Sequence, residues 1–331
     1  MQLLTKRPIL VPFAILRFLI EVLEKPNRTL RESDEPVKQP AGRWIKANPL
    51  PSWRYEFGGA LLGEEIYVVG GLILPTVYTV TRRVETYNVV TNSWRRTANL
   101  PVIIHHPGVT VADNRLYVIG GNGLRITPYS YVFQYNPSTN SWKRNSDMPT
   151  PRGALGIAEM NGFIYVMGGG TNKIPRNELE VYDPKNDAWT KLEPMPTERE
   201  HLAATSAGGL IFAMGGFKKN LAESLTANEA YNPSTGEWEN RAPLPLPISG
   251  FSAVGIGSSV FIFGGEQGWA VSSECHEYKV SEDRWYRRMD MPTPKYAHIA
   301  VAVDGEIHII GGNPRLGGYA FCMNHDIFIP A

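Results

Sequence analysis

Histidines and carboxylates recur in short, similar segments of this chain, and these side chains could do chemistry. Four of the seven histidines lie in these segments, and we consider with them two glutamates from the same segments and one that directly follows a glycine pair. The set comprises Glu56, His105, His106, Glu200, His201, Glu266 and His298. Imidazoles and carboxylates that share a cavity could ligate a divalent metal, or could transfer protons near neutral pH. They could also only cap loops, and we expect neither a metal nor another cofactor.

Cationic residues form a second set in the same segments. The segments start at aligned prolines and read PSWRYEFG, PVIIHHPG, PTPRGALG, PTEREHLA, PLPISGFS and PTPKYAHI. The third residue after the proline is, in order along the chain, Arg54, Ile104, Arg152, Arg199, Ile248 and Lys295. Like charges gathered round one opening repel each other unless an anion or acidic neighbours compensate them. The set therefore predicts an anion-binding ring, and the alternative is that each cation only bonds to nearby carbonyl groups.

Glu266 and Trp269 differ from the residues at comparable positions. Glu266 follows the pair Gly264-Gly265 and is an acid where other segments have none. It is predicted either to contact a ligand or to form an ordinary salt bridge. Trp269 could stack on a sugar face or pack locally.

An internal repeat positions these residues. Glycine pairs begin at Gly70, Gly120, Gly168, Gly215, Gly264 and Gly311, spaced by 47 to 50 residues, and each ends an apolar run typical of a buried strand. In five repeats a tyrosine is followed by a tryptophan seven residues later and by a proline after seven more, as in Tyr87, Trp94 and Pro101.

These spacings resemble the kelch repeat over roughly residues 43–326. The resemblance implies an all-β fold, a six-bladed kelch β-propeller with four-stranded antiparallel blades round a channel. PTPRGALG and PTEREHLA also resemble microbial kelch proteins that are often labelled galactose-oxidase-like, but the copper and tyrosyl-cysteine residues of that enzyme, and a seventh blade, are not found.

The sixth repeat lacks its tryptophan, and the start of the chain supplies one. Trp44 precedes Pro51 by seven residues, as in every other fourth strand. We therefore expect a strand at about residues 43–51 to complete the last blade, which leaves the ring without open sheet edges. Residues 42–331 form the propeller, and residues 1–41 are predicted to be an apolar, helix-like segment followed by a polar linker.

In blades with strands A to D, the B–C and D–A loops open on one face. The B–C loops are long and variable and the D–A segments converge on the channel, which is typical of a binding face on a rigid scaffold. Kelch adaptors and kelch-type sialic acid mutarotases resemble this chain at these segments. The resemblance implies a site made of Arg54, His105, His106, Arg152, Arg199, Glu200, His201, Glu266, Lys295 and His298.

Two functions fit these residues. The first is a binding module for a small anionic or sugar ligand, or for an acidic protein segment. The second is a cofactor-independent carbohydrate mutarotase or epimerase, with His201, Glu200 and His105 as the catalytic candidates. A pocket of a few hundred Å³ would favour a small ligand over a protein partner.

Composition narrows the partners. There are 33 Lys plus Arg against 32 Asp plus Glu, so nothing predicts nucleic acid binding. The apolar stretch from Pro8 to Leu23 is too short to span a bilayer. We expect a cytoplasmic monomer with free Cys275 and Cys322, or an exported protein if residues 1–24 act as a signal or anchor.

Overall fold

The computed structural model describes residues 42–73, 79–172, 174–317, 320 and 322–331. Within these ranges the chain forms six four-stranded antiparallel sheets. The innermost strands of successive sheets lie side by side in cyclic order, and the sixth neighbours the first. The protein is therefore an all-β, six-bladed propeller, as the repeats predict. The expected helix-like segment and linker at residues 1–41, with the export signal considered there, lie outside the described ranges.

The first three blades follow one another along the chain, and their strands A to D run from the channel outwards. Blade 1 consists of Gly58–Leu62, Glu65–Val69, Val84–Asn88 and Ser93–Arg96. Blade 2 consists of Gly108–Ala112, Arg115–Ile119, Val132–Asn136 and Ser141–Asn145. Blade 3 consists of Gly156–Met160, Phe163–Met167, Leu179–Asp183 and Ala188–Leu192.

The last three blades repeat this order until the final strand. Blade 4 consists of Ala203–Ala207, Leu210–Met214, Asn228–Asn232 and Glu237–Asn240. Blade 5 consists of Ser252–Ile256, Ser259–Phe263, Cys275–Lys279 and Arg284–Arg288. Blade 6 takes Ile299–Val303, Glu306–Ile310 and His325–Ile329 from the end of the chain and Arg43–Ala47 from its beginning.

Smaller elements occupy the loops. Short strands in the loops are Arg54–Tyr55, Leu72–Ile73, Thr79–Val80, Gly170–Thr171, Ile174–Pro175, Glu266–Gln267 and Ala270–Val271. Single 3-10 turns are formed by Leu124–Ile126, Leu221–Glu223 and Val280–Glu282. Isolated bridges such as that between His105 and Asn122 join five of the D–A segments to a B–C loop, and in blade 1 the short strands Arg54–Tyr55 and Leu72–Ile73 pair in the same way. The two loop sets therefore meet at one end of the channel, as expected.

Burial explains the sequence of the B strands. In blade 1, Ile66, Tyr67, Val68 and Val69 are all buried instead of alternating with exposed residues. Neighbouring blades cover both faces of these strands, which favours a continuous apolar run. The D strand Ser93–Arg96 lies at the rim, and most of its residues are exposed.

The strand near the start of the chain closes the ring. Arg43–Ala47 pairs antiparallel with His325–Ile329, which places Trp44 opposite Phe328. The Trp44 Nε1 group donates a hydrogen bond to the carbonyl oxygen of Met289 in blade 5, at 3.2 Å. The predicted closure is confirmed, although the strand ends at Ala47 and the chain continues to residue 51 as a loop.

The repeated tyrosines and tryptophans join strands and blades. Tyr87 and Trp94 are cross-strand partners with ring centroids 5.2 Å apart. Tyr87 also contacts the His325 ring of blade 6 at 4.4 Å, and Trp94 Nε1 donates to the Asn48 carbonyl at 2.8 Å. The aromatic residues therefore pack between adjacent blades, as the repeats predict.

The glycine pairs allow close contact between successive blades. Gly70 and Gly71 have φ angles of 69° and 98°, a region that favours glycine. The Gly71 N–H donates to the Ile104 carbonyl of the next D–A segment at 2.8 Å. A Cβ atom on Gly70 would lie 2.5 Å from that oxygen, so a side chain there would push the D–A segment away.

Two further expectations can be compared with the structure. Cys275 and Cys322 are both buried and free, as predicted. Among the described residues, no helix is long and apolar enough to cross a bilayer.

Candidate functional site

A closed ring of backbone hydrogen bonds frames one end of the channel. It uses the sixth residue of each D–A segment, which has a φ angle between 50° and 58° in every blade. The ring residues are Glu56, His106, Ala154, His201, Gly250 and Ala297. Each N–H donates to the carbonyl of the ring residue in the preceding blade, at 2.8 to 3.2 Å. Because this backbone region costs an L-residue roughly 1–2 kcal/mol, the cyclic bonding must hold it in place.

The ring surrounds a mouth cavity of about 380 Å³. Its floor is formed by the seventh residues of the D–A segments, five of which are apolar. These floor residues are Phe57, Pro107, Leu155, Leu202, Phe251 and His298. The same six residues also line the top of a central channel of about 510 Å³. The mouth cavity therefore has a largely apolar floor, in which burial and then the charge of Lys295 lower the pKa of His298 to about 3.

Three histidines and a glutamate form a contiguous cluster on one side of the mouth. The Nδ1 atoms of His105 and His106 are 2.6 Å apart. Glu56 Oε2 lies 3.5 Å from the first of these atoms and 3.3 Å from the second. His106 Nε2 is 3.1 Å from His201 Nε2, and the His201 ring stacks on Phe217 with centroids 4.8 Å apart. The structure therefore brings together most of the histidines that the sequence singled out.

A backbone carbonyl fixes the tautomers in this cluster. His105 Nε2 lies 3.2 Å from the Gly123 oxygen, and because a carbonyl only accepts, this nitrogen must carry a proton. In neutral His105 the Nδ1 atom is then an acceptor facing His106. His106 then donates from Nδ1 to His105, and its Nε2 accepts from His201 Nε2. The Gly123 carbonyl at one end of the cluster therefore determines which ring nitrogens carry protons.

Burial shifts the pKa values of the mouth residues away from their usual range. It lowers the pKa of His106 well below its ordinary value, with smaller effects of charge on His201 and His105. Burial likewise lowers the pKa of His201 to about 4. It raises the pKa of Glu56, and burial followed by the charge of Glu56 raises the pKa of Glu266 to about 8. Near neutral pH the mouth thus offers neutral imidazoles and a protonated carboxyl group.

Glu266 enters the mouth from the B–C loop of blade 5, as its position predicts. Its backbone bridges Ser249, and a Cβ atom on Gly250 would lie 3.2 Å from Glu266 Oε2. Glycine in the ring therefore makes room for this carboxyl group. Trp269, in the same loop, is 69% exposed and is not among the described residues that line the mouth cavity.

A lateral cavity of about 450 Å³ adjoins the histidine cluster. Glu200 and His105 line it together with apolar residues such as Leu72, Val80 and Ile126. Burial raises the pKa of Glu200. Glu200 is therefore placed beside the cluster but in a different cavity from Glu266.

The predicted cationic ring requires correction. All four cationic side chains are fully buried, namely those of Arg54, Arg152, Arg199 and Lys295. Each forms an ion pair with an acid on strand C of its own blade. The pairs are Arg54 with Glu85 at 2.7 Å, Arg152 with Glu180 at 2.5 Å, Arg199 with Glu229 at 2.8 Å, and Lys295 with Asp326 at 3.0 Å. None of the four cations is among the described residues that line the mouth cavity.

Remaining hydrogen bonds explain why these side chains point inwards. Arg152 also donates to the Thr150 carbonyl at 2.8 Å and to the Val166 carbonyl at 3.1 Å. Thr150 Oγ1 donates to the other oxygen of Glu180 at 2.8 Å. A buried charge needs such compensation, and the D–A segment supplies it within the blade. The cations therefore join D–A segments to strand C of their own blades and do not line the described mouth cavity.

A signal for this pairing exists in the repeats. The second residue of strand C is acidic in the four blades that carry a cation. In blades 2 and 5 the cation is replaced by Ile104 and Ile248, and the acid by Phe133 and His276. Comparing both positions across blades would have predicted the ion pairs. Phe217 and Tyr296, which line the mouth cavity, were also missing from the predicted site because aromatic residues carry no charge pattern.

Comparisons with known proteins agree with this architecture. The closed blades and the glycine pairs define the kelch-repeat class of β-propellers. The sequence pattern of one family, described as the Attractin/LZTR1 beta-propeller, matches residues 39–273, and the chain belongs to this family.

Individual relatives match only parts of the chain. Kelch-like protein terF of Aspergillus terreus is 39% identical over 88 residues, which are 24% of this chain and 19% of that protein. Human Kelch-like protein 28 is 36% identical over 83 residues, 24% of this chain and 14% of that protein. The matches thus span less than a fifth of either relative.

A solved structure shares the whole fold. The structure of YjhT aligns with a TM-score of 0.72 and covers 84% of this chain and 95% of the YjhT chain, at 18% sequence identity. The likeness concerns the propeller fold.

Proposed function

We propose that the mouth cavity binds a small, neutral carbohydrate. The observation that carries this proposal is a cavity of about 380 Å³ on the channel axis that combines Glu56, Glu266, His106 and His201 with an apolar floor. Carboxyl and imidazole groups exchange hydrogen bonds with hydroxyl groups, and the apolar face of a sugar packs on aromatic or apolar side chains.

The charge of the mouth argues for a neutral ligand. The four cations that suggested an anion are buried and paired within the blades. The described residues that line the mouth cavity include Glu56 and Glu266 but no lysine or arginine. A sugar acid or an acidic protein segment would meet carboxyl groups without a compensating cation.

The test is a thermal-shift and calorimetric screen of neutral sugars and sugar acids in the presence of a chelator. A bound sugar at about 100 times its Kd stabilises the fold by about 2.7 kcal/mol, and the melting temperature rises accordingly. Glu266→Ala is expected to weaken binding at least about tenfold through loss of the hydrogen-bonding carboxyl group, whereas Glu266→Gln, which keeps a donor and an acceptor, should weaken it less. Glu159→Gln is the matched control, since Glu159 lines the central channel below the mouth. Binding of sugar acids alone, or of no sugar, refutes the proposal.

Carbohydrate mutarotation or epimerisation is a second candidate function. The observation in its favour is that Glu266 and His201 line one cavity with pKa values of about 8 and about 4. Opposed shifts of this kind assign an acid and a base. Glu266 would protonate the ring oxygen of a sugar while His201 accepts the proton of the anomeric hydroxyl group. Glu200 and His105, the other predicted catalytic residues, line the adjoining lateral cavity.

Exchange between sugar anomers, followed by NMR, tests this candidate. The wild-type protein is expected to accelerate exchange over buffer, and Glu266→Gln to reduce the acceleration on the order of 100-fold, as for loss of a general acid. Glu159→Gln again serves as control. A protein that binds a sugar without accelerating exchange retains the binding function and excludes the catalytic one.

A further inference from the structure

We propose that Glu56, His105 and His106 form a binding site for one divalent first-row transition-metal ion. The ligand atoms are Glu56 Oε2 and the Nδ1 atoms of the two histidines. Their separations are 2.6 Å between the nitrogens, and 3.5 Å and 3.3 Å from the carboxylate oxygen to His105 and His106. All three lie at the edge of the mouth, where the first blade meets the second.

The separations suit a common ion. A tetrahedral ion with bonds of about 2.0 Å keeps its ligand atoms about 3.3 Å apart, and an octahedral one with bonds of about 2.1 Å keeps adjacent ligands about 3.0 Å apart. Two of the three observed distances lie near these values. The nitrogen pair is closer and needs to open by less than about 1 Å, a movement that rotation of an imidazole ring provides.

The backbone explains how two consecutive histidines can share an ion. Successive side chains of an extended strand point to opposite faces. His106 has a φ angle of 50°, which breaks the alternation and turns its ring towards that of His105. Glu56 is also left-handed, and its carbonyl accepts the His106 N–H at 2.8 Å. The backbone ring therefore holds the three ligands in register before any ion binds.

The surroundings match those of metal-bound histidines. Such residues usually donate their second ring N–H to a carbonyl, carboxylate or water, which fixes the tautomer. His105 Nε2 contacts the Gly123 carbonyl at 3.2 Å, and His106 Nε2 contacts His201 Nε2 at 3.1 Å. The first contact leaves His105 Nδ1 available as a ligand. In the metal-free cluster His106 carries its proton on Nδ1, so binding of the ion requires the Nε2–H tautomer of His106, whose N–H then donates to His201 Nε2. His201 acts as a positioning residue.

The donor set selects the class of ion. Two imidazoles and one carboxylate favour Zn²⁺, Fe²⁺, Co²⁺, Ni²⁺ or Cu²⁺ over Ca²⁺ and Mg²⁺, which prefer oxygen ligands. Three protein ligands leave at least one coordination position for water or a ligand hydroxyl group. The Glu56 and His106 side chains are 17% and 16% exposed and line the mouth cavity, so an ion can reach them from solvent.

This site shares Glu56 and His106 with the proposed carbohydrate site, but the two proposals are tested separately. Metal binding is measured without any sugar, and the sugar screen described above is done with a chelator present. Either proposal can therefore fail while the other holds.

The experiment uses the full chain stripped with EDTA and titrated with Zn²⁺ against a chromophoric chelator, with Co²⁺ absorption as a second readout. We expect one equivalent to bind, and Co²⁺ to show visible d–d bands without thiolate charge transfer. Glu56→Gln, His105→Gln and His106→Gln are each expected to weaken Zn²⁺ binding by at least about 100-fold, more than loss of an outer partner costs.

The matched control is His298→Gln, a histidine that lines the same cavity outside the triad and whose loss is expected to leave the Zn²⁺ affinity unchanged. His201→Gln is expected to weaken binding by about 10- to 100-fold. Circular dichroism confirms that each variant is folded. Should a triad variant not fold, the Co²⁺ spectrum of the wild-type protein still tests the proposal. It distinguishes ligation by nitrogen and oxygen atoms, as in the triad, from ligation by a different set of atoms at another site. Wild-type protein that binds no Zn²⁺ below about 10 μM, or folded triad variants that keep its affinity, would overturn the proposal.

Discussion

Replacing Arg152 with isoleucine tests whether the cations of the D–A segments hold the blades together or bind a ligand. Arg152 and Glu180 are both fully buried, with 2.5 Å between Nη1 and Oε2. Blade 2 has Ile104 and Phe133 at the corresponding positions, both buried. The chain itself therefore provides an apolar substitute for the ion pair, namely the double variant Arg152→Ile with Glu180→Phe.

The structure sets the expected magnitudes. Among the described residues, Arg152→Ile leaves the Glu180 carboxylate with the Thr150 hydroxyl as its one hydrogen-bond partner, and it removes a donor from the Val166 carbonyl. Breaking a buried ion pair from one side costs about 3–5 kcal/mol. Replacing both partners with packed apolar residues is often close to neutral, so the double variant is expected to regain more than half of the loss. The single variant should melt roughly 5 to 8 °C below the wild type, because a domain of this size has a large entropy of unfolding.

The assay is equilibrium urea unfolding followed by tryptophan fluorescence and by circular dichroism, together with thermal melts. Coincidence of the two probes shows whether a single free energy of unfolding applies to this repeat fold. Sugar binding is measured on the same variants well below their melting temperatures, and the affinity of folded Arg152→Ile should equal that of the wild type. A single variant that melts within about 2 °C of the wild type, or a double variant no more stable than the single one, would refute the structural role. Selective loss of sugar-acid binding in folded Arg152→Ile would restore the anion-ring interpretation.

Two further predictions concern the closure and the response to acid. Trp44→Ala should destabilise the propeller by about 2–3 kcal/mol in urea unfolding, because it loses contacts with Phe263 and Phe328. Trp44→Phe should cost about 1 kcal/mol, because it loses the hydrogen bond to Met289. Equal stability of the wild type and both variants would contradict closure by this strand. Burial lowers the pKa of His308 to about 4, and burial together with charge on His308 lowers the pKa of His325 to about 3. Below about pH 6.5 the unfolded chain therefore binds more protons than the folded chain. Each of the two histidines then lowers the free energy of unfolding by about 1.4 kcal/mol per pH unit, down to its folded pKa. Melts from pH 8 to pH 4 should show this loss. His308→Leu with His325→Phe should reduce its slope without removing it, because His201 and His298 also have lowered pKa values, and an unchanged slope in the double variant would exclude the pair as a source.

The fold follows from the sequence because its determinants are local and repeated. Each glycine pair lies at the end of a B strand, and the equal spacing of Tyr87, Trp94 and Pro101 in later repeats defines the phase. Even the closure was predictable, since Trp44 has the spacing of a fourth strand. Closure adds only one strand to the last sheet, whose edge would otherwise present unpaired backbone groups.

The direction of side chains in the D–A segments was not predictable in the same way. These segments are mostly irregular, so the period that assigns inner and outer faces of a strand does not apply. Arg152 turns inwards because it pairs with Glu180, which is 28 residues away in the sequence. Only comparison of both positions across the blades reveals this pair. Likewise, the contact between the His105 and His106 rings depends on the left-handed backbone of His106, which the sequence does not predict.

The ring of backbone bonds explains why the mouth can vary while the propeller does not. Its six bonds use only N–H and carbonyl groups, so no ring position needs a particular side chain to keep the channel end closed. Glu56, His106 and His201 therefore place polar groups in the mouth, while Gly250 makes room for the Glu266 carboxyl group. A ligand in the cavity therefore meets hydrogen-bonding groups of the ring residues together with the Glu266 carboxyl group. Gly250→Ala would place a Cβ atom 3.2 Å from the Glu266 carboxyl group and move it within the cavity, which should change ligand affinity without disturbing the backbone ring.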